Sequence, residues 1–201
     1  MSSRKIIVTS FSIDKHLLTD IRNFLRYVDN IINKPKVKIC YLGAANDNSW
    51  LQRKFFTLCV KLYNSQWMIT EYLTNDVDMV FVAGGNTAKL VELYKSTSFD
   101  KTLKDAYNNG VVMTGVSAGL LCWMKEGLSD SYENLQKIDC LGFLPYSANP
   151  HANIRGDLYK QLVNDQRMIP GYSIPDGSIV YFNNEEISNV LNNRNEVEYV
   201  F

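Results

Sequence analysis

VVMTGVSAGLLCW, residues 111–123, reads as strand, turn and helix in immediate succession. Val111 to Thr114 form a short apolar run that fits a buried strand. Gly115-Val116-Ser117-Ala118-Gly119 is a tight glycine-flanked turn, and a small apolar helix start follows. Strand, Gly-x-Ser-x-Gly, helix is the nucleophile-elbow pattern, in which a sharp turn exposes a serine at the carboxyl end of a strand. The glycines fit positions where neighbouring backbone comes too close for a Cβ. The pentapeptide alone is equally compatible with a glycine-rich turn carrying an incidental serine. The rest of the chain has to decide.

Upstream, DMVFVA at 78–83 is a continuous apolar run that ends on Gly84-Gly85-Asn86-Thr87, a buried strand entering a turn. KIIVTS at 5–10 and VKICYL at 37–42 read as two further strands. Between them, 14–32 carries Leu17, Leu18, Ile21, Phe24, Leu25, Val28, Ile31 and Ile32 at helical spacing. Residues 50–63, 88–95 and 99–109 also read as helices, with Gly110 as a C-cap, and 66–73 as part of a strand. Alternating strands and helices predict an α/β fold with a largely parallel sheet and right-handed crossovers. Beyond Pro145 the pattern changes to a proline-rich, loop-rich region. A helix is expected at 156–165 and strands at 168–174, 178–183 and 196–201. Turns are expected at Pro175-Asp176-Gly177 and at 192–195.

Composition narrows the function classes. The 201 residues predict one domain spanning 1–201, with 46% apolar and 12% aromatic residues as in a folded globular chain. Lys+Arg and Asp+Glu both total 21, so no basic field points to nucleic acid. No apolar run is long enough for a membrane span, and MSSRKIIVTSF suits a first strand better than a signal peptide. Cys40, Cys59, Cys122 and Cys140 are widely spaced, which predicts free thiols, a cytoplasmic location and no metal site.

A serine nucleophile needs a base, and histidine is the usual one. Of the two histidines, His16 lies in the first helical segment and reads as a surface residue. His151, after Asn149-Pro150, is the better partner for Ser117. An oxyanion needs two N–H donors, one normally from the residue after the nucleophile, here Ala118. Gly85 is the second candidate, with Asn86 beside it as a substrate contact. The GGNT loop lacks the lysine of a P-loop and the third glycine of a dinucleotide fingerprint, so phosphate binding has little support.

AGGNT (83–87), GVSAG (115–119) and NPH (149–151), in that order, resemble the dipeptidase E family of serine peptidases, which includes alpha-aspartyl dipeptidase and, more distantly, cyanophycinase. IPDGS at 174–178 is also similar to a family segment. The resemblance implies a three-layer α/β sandwich, flavodoxin-like or class I glutaminase-like, with a mostly parallel central sheet. It further implies Ser117 as nucleophile, His151 as general base, and Gly85 and Ala118 as oxyanion donors. No cofactor is implied, and the chain would be a monomer or homodimer acting on small peptides. For the acid that orients the imidazole, the resemblance points downstream of the nucleophile helix, to Asp130, with Glu126 and Asp139 as alternatives.

Two departures stand out. Relatives carry a glycine pair after the first strand, where this chain has Thr9-Ser10-Phe11-Ser12. Aspartyl-specific members also carry an arginine in the helix after the histidine, where Tyr159 stands here. Arg155 and Arg167 are the possible substitutes. The same residues could therefore serve a non-peptide amide or ester, or the fold could act as a non-catalytic binding protein.

Overall fold

A computed structural model describes residues 3–192 and 194–201. Met1 and Ser2, at the head of the segment weighed as a signal peptide, lie outside the described residues, as does Asn193 of the turn expected at 192–195.

The strands β1 (Lys5–Thr9), β2 (Lys38–Leu42), β3 (Met68–Thr70), β4 (Met79–Val82) and β5 (Val112–Val116) form a parallel core in the order β1-β5-β4-β2-β3. The antiparallel strands β10 (Ile179–Asn183) and β11 (Glu186–Leu191) extend it beyond β1 into a seven-stranded sheet. Both faces of the sheet are covered at β1, β2, β4, β5 and β10, so those strands read as apolar runs rather than polar–apolar alternations. The period of two survives as a choice between two cores. Ile7, Met79, Phe81 and Val112 point to one side, and Ile6, Val8, Val80, Val82 and Met113 to the other.

The first side is closed by α1 (Leu17–Ile32) and α2 (Trp50–Tyr63), which bury Ile21, Phe24, Leu25, Val28, Phe56 and Val60. α1 ends where Asn33 turns left-handed and returns its N–H to the Asp29 carbonyl. The second side is closed by α3 (Thr87–Ser96), α4 (Phe99–Asn108) and the four-residue α5 (Ala118–Leu121). α5 sits directly on the sheet because residue 119 has no side chain. A Cβ there would stand 2.0 Å from the Val82 carbonyl oxygen. Trp123, fully buried, follows α5 and donates its indole N–H to the Thr114 carbonyl.

The region beyond Pro145, expected to be loop-rich with strands at 168–174 and 196–201, contributes those strands and one more to a second sheet. This sheet comprises β6 (Glu126–Ser129), β7 (Gln136–Asp139), β8 (Ser147–Pro150), β9 (Gly171–Ile174) and β12 (Glu198–Val200), in the order β12-β9-β8-β6-β7. These strands are three or four residues long, too short for a period to register. Pro150, Pro170 and Pro175 mark strand boundaries rather than irregular chain. The helix expected at 156–165 is α6 (Ala152–Asn164), starting immediately after His151. One face of the second sheet joins the α3–α5 core through Ile138, Ala148, Tyr172 and Ile174. α6 covers the other with Tyr159, Leu162 and Val163. Tyr172 meets Phe182 of β10 edge to face, 5.5 Å between ring centres, which ties the two sheets together. Free thiols are found at all four cysteines. No helix among the described residues is long and apolar enough to cross a membrane.

Replacing Gly119 with alanine forces a Cβ into the Val82 carbonyl and should cost about 1–3 kcal/mol, as overpacking generally does. Thermal unfolding of G119A should show a melting point lower by a few degrees per kcal/mol. An unchanged midpoint would mean that α5 is free to lift off the sheet.

Candidate active site

Ser117 stands between the end of β5 and the start of α5 with φ 53° and ψ −109°. This left-handed backbone is costly for a residue with a Cβ, and such strain persists only where the surroundings impose it. They do so on both sides. The Ser117 N–H donates to the Thr9 carbonyl, and the Ser117 carbonyl accepts from Leu120 and Leu121 N–H at 3.0 Å each. The serine is thereby fixed at the carboxyl edge of the parallel sheet, where sites in open α/β folds form.

His151 reaches it from the other sheet. β8 ends at Pro150, His151 is left-handed (φ 56°, ψ 39°), and α6 begins. Its Nε2 lies 3.0 Å from Ser117 Oγ, within hydrogen-bond reach. Its Nδ1 lies 2.7 Å from Asp176 Oδ1. With the proton on Nδ1 donated to the carboxylate, Nε2 is free to accept from the serine hydroxyl.

The carboxylate at the imidazole is therefore that of Asp176, in place of the expected Asp130. Asp130 is 72% exposed and its nearest cation is Arg155, 3.7 Å away. Glu126 lies at the opposite end of the second sheet, where it accepts from Lys137 Nζ and Ile169 N–H. Asp139 pairs with Glu126 across β6–β7 and is 77% exposed. Asp176 belongs to the PDGS turn that carries the chain from β9 in one sheet to β10 in the other. The Ser178 N–H donates to the Pro175 carbonyl to close that turn, and Gly177 adopts φ 86°. In the sequence the aspartate reads as a turn former within the IPDGS segment that resembles the family, with no catalytic role assigned to it. Turn chemistry explains an Asp-Gly pair by itself, so nothing local advertised a second task.

Burial at this position works against a charged carboxylate, but three donors outweigh it. His151, the Ser12 hydroxyl (2.6 Å to Oδ2) and the Ser10 hydroxyl (2.7 Å to Oδ1) together hold Asp176 down to about 2. Ser10 Oγ also accepts the His151 backbone N–H at 3.0 Å, so one hydroxyl fixes both acid and base. Asn153 Oδ1 accepts the Asp176 N–H. Ser10 and Ser12 occupy the segment where the resemblance implied a glycine pair, and their hydroxyls supply donors to the acid.

Gly85 lines the cavity beside Ser117, and its N–H donates no hydrogen bond among the described residues. A Cβ there would stand 2.1 Å from the Ala45 carbonyl oxygen, and φ is 144°, so only glycine fits. The Ala118 N–H opens α5, where no intrahelical acceptor exists. Asn86 is otherwise engaged. Its Oδ1 caps α3 by accepting Lys89 N–H, and its Nδ2 donates to the Ser131 carbonyl. Tyr159 is buried under the second sheet with its hydroxyl on Ser147 Oγ, and Arg167 lies near Glu126 at the far end. Burial pushes the Cys122 thiol well up, so the sulfur nearest the elbow is no thiolate.

Ser117, His151, Gly84 and Gly85 share a cavity of about 550 Å³ opening on the α1–α2 side of the sheet. A serine hydrogen-bonded to an imidazole, itself held by a buried carboxylate, can be deprotonated as it attacks a carbonyl carbon.

Comparison with known proteins gives the family and the fold. Residues 58–190 match the model of peptidase family S51. The chain is 33% identical over 182 residues to the uncharacterized peptidase YgaJ of Bacillus subtilis (strain 168), covering 84% of this chain and 79% of that protein. Two crystal structures share the fold. One is a candidate peptidase E protein from Listeria monocytogenes EGD-e, with TM-score 0.66 at 16% identity over the whole of both chains. The other is a peptidase from an acI-B1 Actinobacterium, with TM-score 0.67 at 14% identity, covering 98% of this chain and 90% of that one. The fold is thus the class I glutaminase-like α/β sandwich of the peptidase E structures, and the chain belongs to peptidase family S51, a family of serine-type peptidases.

Proposed function

We propose that the chain hydrolyses short peptides through Ser117, His151 and Asp176. The observation that carries this reading is the unbroken hydrogen-bonded path from Ser117 Oγ through both imidazole nitrogens to Asp176. Ser117 Oγ attacks the scissile carbonyl carbon while its proton passes to His151 Nε2. Asp176 stabilises the imidazolium that forms. The Gly85 and Ala118 N–H groups receive the oxyanion of the tetrahedral intermediate. Its collapse breaks the C–N bond, and the amine leaves with the proton from His151. Water, deprotonated by the same imidazole, then releases the acid and restores the serine. A cavity of about 550 Å³ is of small-ligand size, which supports short substrates over folded protein chains. A second reading, an uncharged amide or ester as substrate, draws support from the absence of Lys, Arg, Asp or Glu side chains among the cavity's lining residues.

Serine-directed fluorophosphonate should label Ser117 in the folded protein. S117A and H151A should each lose about 10³-fold or more of kcat on a dipeptide library. Full activity in S117A would overturn the mechanism, and absent labelling would favour a binding role.

Asp176→Asn should lower kcat by roughly 10³–10⁴-fold, because an amide does not stabilise the imidazolium, whereas Asp130→Asn should stay within about twofold. The reverse ranking in steady-state kinetics would return the role to Asp130.

The same carboxylate links stability to pH. Its folded-state value, about 2, lies below that of an unfolded aspartate, so its stabilisation is present above about pH 4 and is lost as the pH falls towards 2. Denaturant unfolding of wild type and D176N should differ by on the order of 1–2 kcal/mol at neutral pH, after discounting for solvent screening. That gap should close between about pH 4 and 2, and a pH-independent gap would contradict the linkage.

A further inference from the structure

The cavity beside Ser117 is walled by rings and aliphatic side chains. Tyr41, Phe56 and Phe81 form its inner wall, with Phe56 stacked on Phe81 at 4.0 Å and Tyr41 5.6 Å from Phe56. Phe11, Leu17 and Phe55 complete the sides. The polar side chains among its lining residues are those of His151, Gln52, Ser12, Ser117 and Tyr41. No lysine, arginine, aspartate or glutamate side chain lines it. Arg155, the arginine nearest in sequence to His151, is outside this lining and faces Asp130.

A charged side chain entering such a cavity would shed water and find no counter-charge, which is strongly unfavourable. A bulky apolar side chain would leave water for ring and aliphatic contacts, which is favourable. Gly84 and Gly85 border the same cavity. A substrate carbonyl held between Ser117 and the Gly85 N–H would stand at the edge of this cavity, with these walls within reach of its own side chain. Building on the Ser117–His151–Asp176 reading, we infer that the residue on the acyl side of the scissile bond is large and apolar, aromatic or branched aliphatic, and not acidic. The segment 10–13 contributes to both properties of the site. Ser10 and Ser12 hold the acid, while Phe11 and Ile13 reach the cavity.

The test uses dipeptides X-Leu with X = Phe, Leu, Ala, Asp and Arg. With wild type, kcat/KM for Phe-Leu or Leu-Leu should exceed that for Asp-Leu and Arg-Leu by at least about tenfold, the scale on which apolar pockets discriminate. A flat profile, or a preference for Asp, overturns the inference. Calorimetric binding of Phe-Leu and Asp-Leu to S117A reads the cavity without turnover. Tighter Phe-Leu binding supports the inference even where no hydrolysis is found, an outcome that would sink the catalytic reading alone. Equal or tighter Asp-Leu binding overturns the inference even where hydrolysis depends on Ser117. Phe55 is partly exposed, so Phe55→Arg should fold and add a cation at the wall. It should move the Asp-Leu to Phe-Leu ratio of kcat/KM up by about tenfold or more, and an unchanged ratio counts against the inference.

Discussion

The carboxylate of Asp176 is the point on which the site depends. It is almost wholly buried, and a buried charge is tolerated only when hydrogen bonds replace its water. Its three donors come from two places that are remote in sequence: Ser10 and Ser12 just after β1, and His151 at the end of β8. Asp176 itself occupies the turn where the chain leaves the second sheet and enters the first. Satisfying one carboxylate therefore requires both sheets to be docked in register. The same contacts deliver the imidazole to Ser117. Stability and chemistry share these bonds, and Ser10 shows it most directly, since its hydroxyl donates to the acid and accepts from the backbone of the base.

The serine is held by different means. Its backbone is strained, and what keeps it so is close packing of main chain on main chain. Gly119 brings α5 against the Val82 carbonyl, and the Ser117 carbonyl takes two N–H groups of α5. Gly85 similarly lies against the Ala45 carbonyl. The backbone around Ser117 is thus closely held, as a preorganised oxyanion site would require, because a donor that had to move into place would lose much of its value.

The elbow, the loop before α3 and His151 could be read from the sequence because each carries a local signature. A glycine-bracketed serine after an apolar run needs no distant partner to be noticed, and a lone histidine after Asn-Pro stands out when only His16 competes with it. The parallel core was legible for the same reason, in the runs at 5–10, 37–42 and 78–83. The second sheet was legible only in part: the runs at 168–174 and 196–201 announced β9 and β12, but β6, β7 and β8 were missed. Its strands of three or four residues carry too little pattern, and the prolines that bound them look like loop markers.

The acid shows where sequence reasoning stops. Asp176 stands 25 residues from His151, and Asp130 is about as far away on the other side, so chain distance favours neither. Asp130 had the expected position after the elbow, while Asp176, although in the family-like IPDGS segment, read as a turn residue. By itself the sequence singled out Ser117, His151, the glycine loop and the alternating α/β core, because those follow from local periodicity and turn chemistry. Only the tertiary structure decided which carboxylate meets the imidazole and what lines the cavity. Both depend on how β9 crosses to β10 and on α1 and α2 covering one face, and those are long-range contacts that no local pattern encodes.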